Sequence, residues 1–441
     1  MKILFISYYF APANAVASIR TTKIVKYLEK NGFIVDVICG KFPIKDEILE
    51  RDIEGKRNIF YIDGFKFIEN LRKYKRETSQ KSPKLNWKSF ILKISNKILD
   101  KIFGLEKYFI IEILNSYFFF QNAKKLKINI NQYDFIVSSF GPVGSLLLAN
   151  YYKKKNPKVK YILDLRDPII PEYINSGILK FFLKIFEEKT FNLLDYAVVV
   201  SEGLKEYLID NGFKKGISVI TNGYDLEDIS FVDEKFLKEI EKNNSDKITF
   251  CYTGTLYEGK RDISKLFLAL KQLINEGKIQ EDKISIYYAG KDEDIFLNTA
   301  KIYNLDNISK SYGFLPRKKS LALQAGSDIL VLATWNTNKE KGVLTGKLFE
   351  YMMFKKPILA LVSGNKKAEI DQILKNLTLS LVYYNEHDDI KNLKDYILKV
   401  YNIKILQDQI LTEYNEAINE YNYRNIVKKY TKILEDIKNL S

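Results

Sequence analysis

One pattern recurs along almost the whole chain: a short apolar run with a polar or glycine-bearing tip, then a stretch of helical period, then another apolar run. The first forty residues set the rule, with KILFISYYF, the loop APANAVASIR, the helix TTKIVKYLEKNG and a second apolar run FIVDVICG. Gly32 stands where a helix C-cap belongs. Two apolar strands joined through a helix form a βαβ unit, and such units close only as a parallel sheet with right-handed crossovers. Further strand signals follow at YDFIVSSF, KVKYILDLRDP, DYAVVVS and ISVITNGYD. A second series runs through KITFCYTG, ISIYYAG, ISKSYG, DILVLAT and PILALVS. The expected class is α/β, and in doubly wound sheets of this kind ligands bind at the carboxyl tips of the strands.

A chain of 441 residues exceeds one ordinary core, so two domains are expected. The polar segment DLEDISFVDEKFLKEIEKNNSDK is expected as the hinge, giving residues 1–230 and 231–403 as domains and a helical segment over 404–441 that crosses back to the first. Residues 64–132 lack strand alternation and read as a helical insertion. The helix in GILKFFLKIFEEKTFNLL is expected to turn Ile178, Leu179, Phe182, Ile185 and Phe186 toward the sheet, with contact to a membrane surface as the alternative that Lys180 and Lys184 beside the stripe offer.

Composition removes several classes. The single histidine, His387, lies in the polar stretch NEHDD, so zinc sites and histidine-based triads are excluded. Cys39 and Cys251 sit far apart in predicted buried strands and read as small core residues in a reducing compartment. MKILFISYYF reads as a strand rather than a signal peptide, and no run of eighteen apolar residues is present, so a cytoplasmic protein without a membrane span is expected. The net charge of +15 favours acidic partners such as nucleotides or an anionic membrane surface; the lysines are spread evenly, which argues against nucleic acid.

Two segments carry chemistry. In KGVLTGKLFEYMMFKKP, Thr345 and Gly346 are expected to open a helix whose amides favour an anion, with Lys347 adding a charge and Glu350 one turn on as a hydrogen-bond acceptor for a ribose diol. In GTLYEGKRD the spacing from Gly254 to Gly259 and Lys260 approaches a phosphate-binding P-loop, but Arg261 stands where the magnesium-binding hydroxyl is needed. An NTPase is therefore rejected. What remains is a glycine turn followed by two cations able to hold a diphosphate without metal.

With these marks in order, the chain resembles the retaining glycosyltransferases of family 4, whose GT-B architecture has two facing Rossmann-like domains with a central cleft. The matching residues are Arg20 after the proline loop, the strand ending in Asp164, Arg166 and Asp167, the turn with Asn222 and Gly223, the YTGTLYEGKRD loop, the turn at Gly290, and GKLFEYMMFKKPIL. The resemblance implies a nucleotide-diphosphate sugar as co-substrate, no further cofactor and no metal. Lys260 and Arg261 would stabilise the departing diphosphate. Gly254, Gly290, Thr345, Gly346, Lys347, Leu348 and Glu350 would form the nucleotide-sugar site, and Asn14, Arg20 and Arg166 would line the acceptor side.

There are departures. Many relatives carry two glutamates separated by seven residues; here Gly342 occupies the first position, and Glu340 is the nearest acid expected to face the donor sugar. The first domain has no histidine, and Asp167 stands at the corresponding strand tip as the expected orienting group. Ala13, Asn14 and Ala15 replace glycines in the first loop, whose amides are still expected to touch phosphate. The expected activity is metal-independent, retaining transfer of a hexose-type sugar to a hydroxyl acceptor, a lipid-linked saccharide in bacterial surface polysaccharide synthesis at the inner face of the cell membrane. The alternatives are a GT-B nucleotide-sugar 2-epimerase and a catalytically silent GT-B binding protein.

Overall fold

The strands form because their apolar runs are covered on both sides: β4 (Phe135–Ser139), β8 (Ile248–Thr253) and β9 (Ile284–Ala289) are buried at every position, as in parallel sheets sandwiched by helices. The computed structural model describes residues 1–56, 58–63, 106–171, 173–244, 246–337, 341–407 and 416–439. The part of the expected helical insertion from 64 to 105 lies outside the described residues; from Glu106 onward it is a helix, Glu106–Ala123.

The chain divides into two compact units, one comprising 1–200, 204–220 and 430–441, the other 201–203 and 221–429. In the first, β1 (Lys2–Ser7), β2 (Ile34–Gly40), β3 (Ile59–Ile62), β4, β5 (Lys160–Leu165), β6 (Tyr196–Val199) and β7 (Gly216–Val219) form one parallel sheet in the order β3-β2-β1-β4-β5-β6-β7. In the second, β8, β9, β10 (Ser309–Ser311), β11 (Ile329–Asn336), β12 (Ile358–Gly364) and β13 (Leu381–Tyr384) take the order β10-β9-β8-β11-β12-β13. The winding direction reverses between β1 and β4 in the first sheet and between β8 and β11 in the second. Those two reversals are where an open sheet leaves a crevice for ligands.

Edge strands β3 and β13, of four residues each, are absent from the sequence expectation; too few residues alternate there to give a period. The polar segment expected as a hinge is ordered. It forms a 3-10 turn, Leu226–Phe231, and a helix, Glu234–Asn243, capped by the Asp233 carboxylate accepting from Phe236 N at 3.0 Å. The chain passes between units at 220 and 221, besides the short excursion at 201–203 and the return at 429 and 430. The helix Gly177–Leu193 also departs from expectation: Leu183, Glu187, Thr190 and Phe191 are buried, whereas Ile178 and Phe182 are 74% and 63% exposed. The buried stripe contains a glutamate, held by the Tyr207 hydroxyl and by Lys184, and that polar residue hides the true inward face from a purely apolar count.

Cys39 and Cys251 are free and buried, and burial pushes the Cys251 thiol up to about 12, so both behave as core residues. His387 is exposed in a turn. The last helix, Tyr423–Asn439, is polar in composition yet buries Tyr423, Ile426, Val427, Tyr430 and Leu434, one stripe of helical spacing.

Candidate nucleotide-sugar site

The second sheet's reversal point carries most of the predicted residues. Beyond β8 the chain turns at Gly254, whose φ is +146°, and Gly254 lies against Gly290 at the tip of β9. A methyl on Gly290 would come within 2.0 Å of the Gly254 carbonyl oxygen and 2.2 Å of the Tyr288 hydroxyl. That hydroxyl donates to the Gly254 carbonyl at 3.0 Å. Gly290 is thus required by close approach of two loops. Gly290→Ala should lower unfolding free energy by about 1–3 kcal/mol, read by urea denaturation, because backbone on one side and a tyrosine on the other leave nowhere for the methyl to go.

The Asp292 carboxylate accepts from Leu256 N at 2.5 Å and Tyr257 N at 3.3 Å, fixing the turn in which Tyr257 adopts a φ of +51°. The following helix begins only at Ser264, so Lys260 and Arg261 precede it and stand in an irregular turn, unlike the lysine of a P-loop. Lys260 is exposed. Arg261 donates to the Thr255 carbonyl at 3.2 Å and packs over the Tyr257 ring, with its central carbon 4.6 Å from the centroid. Its Nε is buried without a hydrogen-bond partner.

The helix Gly346–Met352 starts after Thr345, whose hydroxyl is buried, makes no capping bond and has no hydrogen-bond partner. Lys347 does not stand apart from Glu350: its ammonium donates to Glu350 Oε1 at 2.6 Å. The same oxygen accepts from Gln324 Nε2 at 2.7 Å, while Oε2 faces Arg317 Nε at the longer distance of 3.7 Å. Burial raises the Glu350 acid, but the charges of Lys347 and then Arg317, with hydrogen bonds from Lys347 and Gln324, more than offset it and bring it down to about 2. The result is an ionised carboxylate with one oxygen saturated and the other loosely held. Such an oxygen can accept from a diol.

Arg317 and Gln324 were not anticipated. They lie seven residues apart on the helix Arg317–Ala325, on one face, and Gln324 is fully buried. Arg317 is fixed by a 2.7 Å ion pair to Asp228 within the ordered segment expected as a hinge. Gln324 also donates to Thr253 Oγ1 at 2.9 Å, and Thr253 N donates to the Tyr351 hydroxyl at 3.1 Å, so the tip of β8 and Glu350 share one hydrogen-bond chain. The only sequence signal is a glutamine inside the apolar run LALQA.

Other assignments come out differently. Leu348 faces the core, and its amide closes the first helical turn onto the Thr345 carbonyl at 3.1 Å, so it offers a ligand neither side chain nor amide. Glu340 lies outside the described residues. In the first unit, the amides expected to touch phosphate are taken: Ala13 N donates to Phe10 O, Asn14 N to Ile44 O and Ala15 N to Ala13 O, all at 2.8–3.0 Å. Without glycines this loop bonds to itself and to the segment carrying Ile44. Asn14 keeps an exposed side chain.

Arg20 is 2% exposed and forks onto Asp164, with Nη2 to Oδ1 at 2.7 Å and Nε to both oxygens at 3.2 Å. Arg166 donates to the Phe140 carbonyl at 2.8 and 3.2 Å and to the Ala17 carbonyl at 2.9 Å, tying the turn after β4 to the first turn of the helix Val16–Lys30. Both arginines therefore brace the crevice, and either would have to exchange protein partners to meet an acceptor. Asp167 follows Arg166 and is exposed.

No family model matches the chain, and no curated protein matches it at a significant level. Solved structures do match over their full length. Sucrose-phosphate synthase from Thermosynechococcus elongatus superposes with a TM-score of 0.61 at 13% identity, covering 100% of both chains. HepE from Anabaena, in complex with UDP and glucose, gives 0.61 at 14% identity, covering 99% of this chain and 100% of its own. The fold is GT-B. A glycosyltransferase from Rickettsia africae gives 0.57 at 15% identity, covering 100% and 99%. In the GT-B frame the carboxyl tips of β8, β9 and β11 are the ligand-facing edge of the second Rossmann-like unit.

Proposed function

We propose that the chain is a retaining, metal-independent glycosyltransferase that takes a sugar from a nucleotide diphosphate to a hydroxyl acceptor. The observation that carries this is Glu350: an ionised carboxylate with a loosely held oxygen, flanked by Lys347 and Arg317, at the winding reversal of a GT-B sheet. Glu350 holds the ribose and the Lys347 ammonium stands beside it. Lys260 and Arg261 face the diphosphate. When the bond from the anomeric carbon to the distal phosphate oxygen breaks, the acceptor oxygen bonds to that carbon. Its proton passes to the departing diphosphate. The charge left there is offset by cations already in place, so little reorganisation is needed at the moment of reaction.

Retention and independence from metal are supported by the order of family 4 motifs, and by the arginine where a nucleotide-triphosphatase would need its metal-binding hydroxyl. The acceptor is a lipid-linked saccharide in the assembly of a bacterial surface polysaccharide. Supporting a membrane-proximal acceptor, the helix Gly177–Leu193 exposes Ile178, Phe181 and Phe182 beside Lys180. Among the described residues no helix is long and apolar enough to cross a membrane. The test is incubation of purified protein with nucleotide sugars and a lipid-linked acceptor, with and without chelator. A glycoside with the donor's anomeric configuration, formed equally in chelator, is expected. An inverted product, or sugar isomerised without any acceptor, would overturn the proposal.

A further inference from the structure

Trp335 is the penultimate residue of β11, at the same reversal point, and is half-buried, although the rest of that strand is buried. Three side chains from the β8 loop gather on its ring. Lys260 Nζ lies 5.5 Å and the Arg261 central carbon 5.6 Å from the ring centroid, and Tyr257 meets it edge-on with centroids 6.2 Å apart. Tyr257 is held there by its left-handed backbone and is itself 50% exposed. Placing two cations over one indole is more than the loop needs for its own stability, since each such contact at an exposed position gives only about 0.5–1 kcal/mol.

Resting on the nucleotide-sugar proposal, we infer that Trp335, walled by Tyr257, is the platform on which the transferred sugar of the donor lies once the exposed Lys260 ammonium has passed from the ring face to the diphosphate. The chemistry selects the sugar over the base. The base is separated from the diphosphate by the ribose, which Glu350 holds on the side of the helix Arg317–Ala325. The sugar is bonded directly to the distal phosphate, so whatever the two cations hold brings the sugar next to the ring they touch. A pyranose presents polarised C–H bonds on its face, and an indole face carries the complementary negative quadrupole. The arrangement also serves specificity. An equatorial pyranose lies flat on an aromatic face, whereas an axial hydroxyl on that side lifts the ring away from it.

The experiment compares nucleoside diphosphates with their sugar conjugates by calorimetry: UDP against UDP-glucose, GDP against GDP-mannose and ADP against ADP-glucose. With the base that binds, Trp335→Ala is expected to leave the diphosphate's affinity within about twofold and to weaken the sugar conjugate about tenfold. Trp335→Phe restores most of that loss, which also shows that the alanine effect is not misfolding. Tyr257→Ala gives a smaller loss of the same kind. An equal loss for diphosphate and conjugate in Trp335→Ala would assign the ring to the nucleotide and overturn the inference. Unchanged binding of both would overturn it too, leaving a structural ring. Failure of the unmodified protein to bind any of the six would overturn the nucleotide-sugar proposal itself, and this inference with it.

Discussion

Lys260→Ala and Arg261→Ala proteins are each expected to turn over a nucleotide sugar about a hundredfold more slowly than the unmodified chain, the scale for removing one preorganised charge from a developing anion. The two losses differ in origin, and the difference is measurable. Lys260 is exposed, and the described partner of its ammonium is the Trp335 ring. Its removal therefore leaves folding stability within about 0.5 kcal/mol, and the loss falls on turnover. Arg261 also holds the loop through the Thr255 carbonyl and the Tyr257 ring. Its removal loosens the turn as well and raises KM alongside the fall in kcat. Lys260→Arg keeps the charge and should recover most of the rate. Arg261→Lys should not, since an ammonium cannot reproduce a fork that meets a carbonyl and a ring together. Steady-state kinetics on the four proteins checks this; a Lys260→Ala enzyme with wild-type kcat would remove the cations from the mechanism.

Glu350→Gln separates charge from shape at the other end of the donor. A hydrogen bond to a charged group contributes about 1.5–3 kcal/mol, so a nucleoside diphosphate should bind roughly ten- to a hundredfold more weakly. The same variant should alter stability in a defined acid window. The folded acid titrates at about 2 against an ordinary 4.5, so the unfolded chain takes up the proton first as pH falls. The stabilisation from the ionised carboxylate, on the order of 3 kcal/mol, is fully present above about 4.5 and is lost as pH falls through about 2. Urea unfolding from pH 7 downward should show wild type and Glu350→Gln converging below 4.5. A gap between them that persists into the most acid samples would mean that Lys347 and Arg317 do not hold the carboxylate as the geometry indicates.

How much was legible follows from how each feature is encoded. The central strands announced themselves because burial on both faces demands continuous apolar runs, as in ITFCYT and ISIYYA. Edge strands β3 and β13 did not, being short and backed on one side only. Lys347 and Glu350 stood out because they are neighbours in sequence on one helix. Arg317 and Gln324 did not, since the helix carrying them closes on Glu350 only in the folded chain and sequence distance conceals the meeting. The platform at Trp335 was hidden for the same reason. Arg20 after the proline loop and Arg166 at a strand tip were visible as charges, but the sequence does not say whether such a charge faces a ligand or braces the fold. Here Arg20 ties its helix to Asp164 of β5, and Arg166 holds the turn after β4. The first-loop amides show the opposite failure: replacing glycine by Ala13 and Ala15 removes the freedom to present N–H groups outward, and the loop bonds to itself.

At the reversal point of the second sheet we propose a nucleotide-diphosphate-sugar site. Thermal unfolding of the purified chain with UDP, GDP, ADP and their sugar conjugates tests it most directly, because a ligand that binds only the native state raises the transition by mass action. A rise with one nucleotide, diminished in both Lys260→Ala and Glu350→Ala, is the predicted result. A folded protein whose transition none of them moves, or whose two variants are stabilised as much as the unmodified chain, would rule that site out.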